Sequence, residues 1–173
     1  MTHAAPTSPS APSAPTAPTS SSRPDGGHVV LGVDGSPASA QALRWAAAEA
    51  RARGCRLEVV TCWPDPEALF VHEVPGHFCA PRHQAVQGLE RVLGATRLAW
   101  EGLEVSTAVV NAHPVDTLVG RCTPQDLLVV GASRRRGARA ERGAPGVDQR
   151  CSMSAPCPVV VVESAVTPVA VGS

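Results

Sequence analysis

Five short apolar runs, spaced along the chain with helix-forming stretches between them, narrow the fold more than any other feature of this sequence. They are "HVVLGV" (28–33), "RLEVVTCW" (56–63), "LEVSTAVVN" (103–111), "DLLVVGA" (126–132) and "CPVVVVE" (157–163). Each has strand length, and most do not alternate apolar with polar residues. That pattern belongs to strands covered on both faces, as in a parallel sheet between helical layers. The intervening segments supply the helices. Ser36 then Pro37 gives a hydroxyl cap followed by a residue whose φ is already helical. "ASAQALRWAAAEARAR" continues with strong helix formers, Ala42, Ala46 and Ala50 form one stripe, and Gly54 ends it. Residues 82–101 read as a second helix, with Val86, Leu89, Val92 and Leu93 on its apolar side and Gly88 and Gly94 weakening it. Pro114 opens a short helix to about Arg121, and another lies around 147–154. Strand alternating with helix predicts an α/β domain of three layers.

Composition removes several function classes. The 173 residues carry 15 basic and 15 acidic side chains, so no global field favours nucleic acid or an anionic membrane. Every basic residue is Arg, which excludes a lysine Schiff base and a P-loop lysine. Aromatic residues are 3% with no Tyr, against a base-stacking platform. No apolar run approaches the roughly 20 residues that span a bilayer. The first 27 residues show neither the basic start nor the apolar stretch of a secretory signal, so the expected compartment is the cytoplasm, with reduced thiols. The six cysteines have no C-x-x-C spacing, and most read as small buried hydrophobes.

The chain divides near residue 28. Residues 1–27 are rich in Ala, Pro, Ser and Thr, with Pro6, Pro9, Pro12, Pro15 and Pro18 recurring every third residue. Such a segment has little to bury and is expected to be a disordered tail; a polyproline docking face is the alternative. Residues 28–163 form the domain, and 164–173 resemble a second loose tail.

In open parallel sheets, ligands bind outside the carboxyl ends of the strands. Two loops there have suitable chemistry. "GVDGS" (Gly32, Val33, Asp34, Gly35, Ser36) places an acceptor carboxylate between strand one and a helix start. "GASRRRGARAERGAPG" (131–146) follows strand four with several glycines and with Arg134, Arg135, Arg136, Arg139 and Arg142. Glycines admit a phosphate to backbone N–H groups, and arginines fork onto its oxygens. Taken singly, the first is ordinary turn chemistry and the second an ordinary solvated loop. The loop "VHEVPGHFCAPRH" holds His72, His77, Cys79 and His83, but H-x4-H-x-C-x3-H is no standard ligand spacing, and exposed polar residues are the simpler reading. His28 and His113 need no role. No G-x-S-x-G elbow or G-x4-G-K-[ST] motif is present, and no catalytic activity is expected.

Taken together, "VVLGVDGSPASAQALRWAAAEARARGCRLEVVTCW", "NAHPVDTLV" and "DLLVVGASRRRG", running through "QR" to "APCPVVVV", resemble the universal stress protein family across 28–163. The resemblance implies a flavodoxin-like, Rossmann-like five-stranded parallel sheet of order 3-2-1-4-5. It also implies ATP with Mg2+ as ligand, and a homodimer paired through the last strand, Pro158 to Val162. Gly32, Val33 and Asp34 occupy positions that contact the nucleotide in the family, while Val60 and Thr61 lie near the strand that lines the adenine pocket. Gly131, Ala132, Ser133, Arg134, Gly137, Gly146 and Val147 fall on the phosphate side. The family motif G-x2-G-x9-G-[S/T] is altered. Gly131 matches its first glycine, but Arg134 replaces the second, and the Gly-Ser pair falls on Ala144-Pro145. Anchored on Gln149-Arg150, it falls on Pro145-Gly146 with one residue inserted. Arg crowds a site built for close backbone approach, and Pro removes an N–H donor. The expected function is a stress-response regulatory module with ATP at the ends of strands one and four. The alternatives are a dimeric interaction protein with a defunct phosphate loop, and a weak ATPase or metal-binding protein.

Overall fold

In a computed structural model of the chain, the described residues are 27–63, 79–132 and 145–163. The two tails and the segments 64–78 and 133–144 lie outside them. That range takes in His72, His77, Ser133, Arg134, Gly137 and the tail prolines.

Five strands, β1 (Val29–Val33), β2 (Leu57–Cys62), β3 (Val105–Val110), β4 (Leu127–Gly131) and β5 (Val159–Val162), form one parallel sheet of order β3-β2-β1-β4-β5. This is the order that the resemblance implied. β1 lies at the centre, and Gly32 stands opposite Val60 on one side and Val130 on the other. The carboxyl ends of β1, β2 and β4 therefore open on one rim.

Among the described residues, five helices cover the sheet: α1 (Pro37–Arg53), α2 (Ala80–Ala95), α3 (Arg97–Trp100), α4 (Pro114–Gly120) and α5 (Val147–Ser154). The apolar runs do not alternate because each strand feeds two cores. Val29, Leu31, Leu57, Val59 and Val129 pack under α1 and α2 with Leu43, Leu89 and Val92. Val30, Val60, Leu128 and Val130 pack on the other face with Leu118 of α4 and Cys151 of α5. Helix α1 begins as its sequence dictates. Ser36 accepts a hydrogen bond from the Ser39 amide, Pro37 follows it, and Gly54 closes the helix at φ 63°.

The expected single helix over 82–101 is two helices. The Thr96 hydroxyl, which is buried, donates to the Val92 carbonyl at 2.7 Å. That back-bond competes with the backbone ladder, and Thr96 leaves helical geometry with φ −124°. The first of the two starts at Ala80, two residues before the expected start, with Cys79 as its flanking residue and His83 in its first turn. Gly88 is not merely a weak point. A Cβ built on Gly35, whose φ is 80°, would stand 3.0 Å from the Gly88 Cα. The two glycines let α2 press directly on the turn that carries Asp34.

Candidate functional site

At the carboxyl rim a cavity of about 140 Å³ lies between that turn and the starts of α4 and α5. Its walls include Gly32, Val33 and Asp34 from the end of β1, Val60 from β2, Gly131 from β4 and Val147 from α5. The structure thus brings six of the sequence-derived site residues to one chamber. Gly146 is the flanking residue of α5, next to Val147. Ala132 continues the sheet, its amide bonded to the Val162 carbonyl at 2.8 Å. Thr61 is buried but is not a lining residue; Cys62 is. Side chains alternate along a strand, so if Val60 faces the chamber, Cys62 must face it too and Thr61 must turn away. That phase was available in the sequence. Ser39, Pro114, Leu118 and Val130 complete the lining; they lie within the segments that carry the family resemblance but outside the site residues it implied.

Asp34 is fixed before any ligand arrives. Its Oδ1 accepts the Ser39 hydroxyl at 2.6 Å and the Ser36 amide at 3.0 Å, while its own amide donates to Ser39 Oγ at 3.0 Å. Partial burial pushes its carboxyl upward, but the bonds from Ser36 and Ser39 outweigh this and hold it below the ordinary aspartate value. The group is an ionised acceptor held on the wall. The Ser36 amide and the Ser39 hydroxyl both fall on Oδ1.

Glycine at two wall positions has a packing reason. A Cβ on Gly32 would meet Leu118 Cδ1 at 2.7 Å, and one on Gly131 would meet the Ala38 backbone carbonyl carbon at 3.0 Å. Gly131 therefore lets α1 sit close on β4, whatever it does for a ligand.

The cysteines behave as apolar side chains. Cys122, Cys151 and Cys157 are buried, and Cys62 is half-buried. Burial pushes the thiols of Cys62 and Cys122 up, and that of Cys151 up to about 11. Among the described residues no group of three or more His, Cys, Asp or Glu is arranged to hold a metal ion.

The opposite rim holds a feature that sequence reasoning missed. His28, given no role from sequence, is buried at the start of β1 between two carboxylates. Nδ1 lies 2.8 Å from Asp126 Oδ1, and Nε2 lies 3.2 Å from Glu58 Oε2. The His28 amide also donates to Asp126 Oδ1 at 2.8 Å, and the Thr123 amide and hydroxyl donate to Oδ2. Arg121 pairs with Glu58. The carboxylates at the amino ends of β2 and β4 were the available signal, since parallel register places Glu58 and Asp126 beside β1.

The fold and the cavity define a flavodoxin-like α/β protein with a chamber where the strand order reverses. The chain belongs to the universal stress protein family, whose model matches residues 27–163. It is 33% identical over 140 residues to universal stress protein Rv2623 of Mycobacterium tuberculosis, covering 80% of this chain and 46% of that protein. It is 36% identical over 117 residues to Rv2005c of the same organism, covering 66% and 39%. The chain thus spans less than half the length of these relatives. Among solved structures, a universal stress protein in complex with cAMP matches with TM-score 0.58 and 24% identity, covering 80% of this chain and 98% of that one. The universal stress protein of Archaeoglobus fulgidus in complex with dAMP gives 0.55 and 21%, covering 79% and 97%. Among the described residues no helix is long and apolar enough to cross a membrane.

Proposed function

We propose that this chain is a cytoplasmic, nucleotide-responsive regulatory module that binds an adenine nucleotide at the carboxyl ends of β1 and β4 and catalyses no reaction of its own. The observation that carries this reading is the juxtaposition of Asp34, Gly131 and Val147 on one cavity. The base and ribose lie against Val33, Val60 and Asp34, whose ionised carboxylate accepts from a hydroxyl or amine. The phosphates lie toward Gly131 and Gly146. The nucleotide complexes of the two neighbouring structures support this choice of ligand class. ATP with Mg2+ is the fullest form of the reading, in which the altered loop after β4 carries the outer phosphates. Isothermal titration tests it. Heat of binding is expected with ATP-Mg2+ or AMP, and Asp34→Ala is expected to weaken it about tenfold or more, the loss of a charge-assisted hydrogen bond. No heat at millimolar nucleotide from folded protein overturns the reading.

A second reading, a homodimer through β5, rests on the sheet edge. Among the described residues β5 is bonded to β4 on one side only, and Val161 and Met153 are exposed apolar side chains on β5 and on α5 beside it. Pro158 to Val162 is the pairing segment. Light scattering at about tens of micromolar is expected to give twice the chain mass; the mass of a monomer overturns the pairing.

A further inference from the structure

Among the described residues, the pair that stands where the family motif has Gly-Ser offers fewer donors to a phosphate of the proposed ligand. In the register fixed by Gln149-Arg150, Pro145 has no N–H and Gly146 has no hydroxyl, and α5 begins without a side-chain hydrogen bond at its cap. Two other side chains stand beside lining residues at that end of the cavity, without lining it themselves. Arg150 is three residues beyond the lining residue Val147, so it shares its face of α5. His113 directly precedes the lining residue Pro114 at the start of α4. Their heads meet across the two helix starts, with Arg150 Nη1 3.4 Å from His113 Nε2, and both residues are exposed. A guanidinium carries five N–H donors in a planar fork, so one long contact leaves it most of its capacity. Two carboxylates face the same region, Asp116, 3.9 Å from His113 Nδ1, and Asp34 across the cavity, while Asp148 lies in the first turn of α5. Against them Arg150 is the permanent cation of the described mouth, and it is placed to hold one phosphate group.

We infer that Arg150, braced by His113, contacts a phosphate of the bound nucleotide and supplies a donor that the Pro145-Gly146 pair does not. This rests on the nucleotide reading above, so the test separates the two. Adenosine and AMP are titrated into the full chain and into Arg150→Gln, Arg150→Lys and His113→Ala, with thermal unfolding as the folding control. The unaltered chain is expected to bind AMP about tenfold more tightly than adenosine, the scale of one charge-assisted contact. Arg150→Gln is expected to erase that preference while adenosine affinity stays within about twofold, and Arg150→Lys to keep part of it, as a charge without the fork. His113→Ala is expected to reduce the preference by less than Arg150→Gln. If adenosine binds but AMP binds no tighter, or if Arg150→Gln leaves the preference intact or weakens both ligands equally, the phosphate contact is overturned and the nucleotide reading stands. If neither ligand binds, both fall.

Discussion

Asp126→Ala is expected to cost the fold about 3–5 kcal/mol at neutral pH, from leaving several donors without their acceptor at about 1–3 kcal/mol each. Asp126 is 3% exposed and binds three groups: the His28 amide, the His28 ring, and Thr123 through both its amide and its hydroxyl. Removing the carboxylate leaves the buried His28 amide, the partly buried Thr123 amide and hydroxyl, and a ring nitrogen without their acceptor, beside a Glu58 that still faces His28 and Arg121. Asp126→Asn keeps an acceptor and is expected to cost less. Urea unfolding of both variants measures the difference. The same cluster sets an acid limit. Burial pushes Asp126 up, but the bonds from His28 and Thr123 outweigh it, and the carboxyl lies below its ordinary 3.8. The hydrogen bond from His28, against burial and with Arg121, holds Glu58 below 4.5. Groups with lowered native values contribute stability that is present in full above their unfolded values and is lost as the pH falls through the native ones. Stability is therefore expected to fall below about pH 4.5, and Asp126→Ala to flatten that fall. An acid profile unchanged by the substitution would remove Asp126 from the acid transition.

The cluster also shows where sequence reading stopped. Strand positions were legible because burial on both faces leaves near-continuous Val and Leu runs, and the start of α1 because a hydroxyl, a proline and a terminating glycine each act locally. The meeting of Asp34 with Gly131 was legible through the rule that ligands collect at the carboxyl ends of parallel strands. The interaction of His28 with Asp126 spans ninety-eight positions and depends on register, which no local pattern encodes. The Thr96 back-bond is local, yet a lone Thr inside a helical pattern usually faces solvent, so its effect depends on the burial that tertiary packing imposes. Gly88 is a like case. Helix propensity counts it as a weakness, and only the approach of the Gly35 turn shows what its missing side chain permits.

That distinction between propensity and packing is sharpest at Gly32. Inserting one methyl there places Cβ 2.7 Å from Leu118 Cδ1 and 3.5 Å from Val130 Cγ1, on the cavity wall. Leu118 is 3% exposed and belongs to the core beneath α4, so it yields only by repacking. Gly32→Ala is expected to cost about 1–3 kcal/mol by overpacking. Leu118→Ala is expected to cost about 2–3 kcal/mol, the low end for a buried leucine, because the space left joins a chamber whose wall at Asp34 is exposed. If these side chains clash as the geometry requires, the costs are not additive. The double variant is expected to be more stable than their sum by about 1 kcal/mol, since the new methyl fills space that the leucine vacates. Binding should follow the same logic. Gly32→Ala alone drives Leu118 against the chamber and weakens nucleotide, and the added Leu118→Ala restores it. Urea unfolding and nucleotide titration of the two single variants and the double variant close the cycle. Strict additivity in stability would mean that Leu118 rotates away freely, and the tight glycine at the end of β1 would then have to be explained by the ligand rather than by the core.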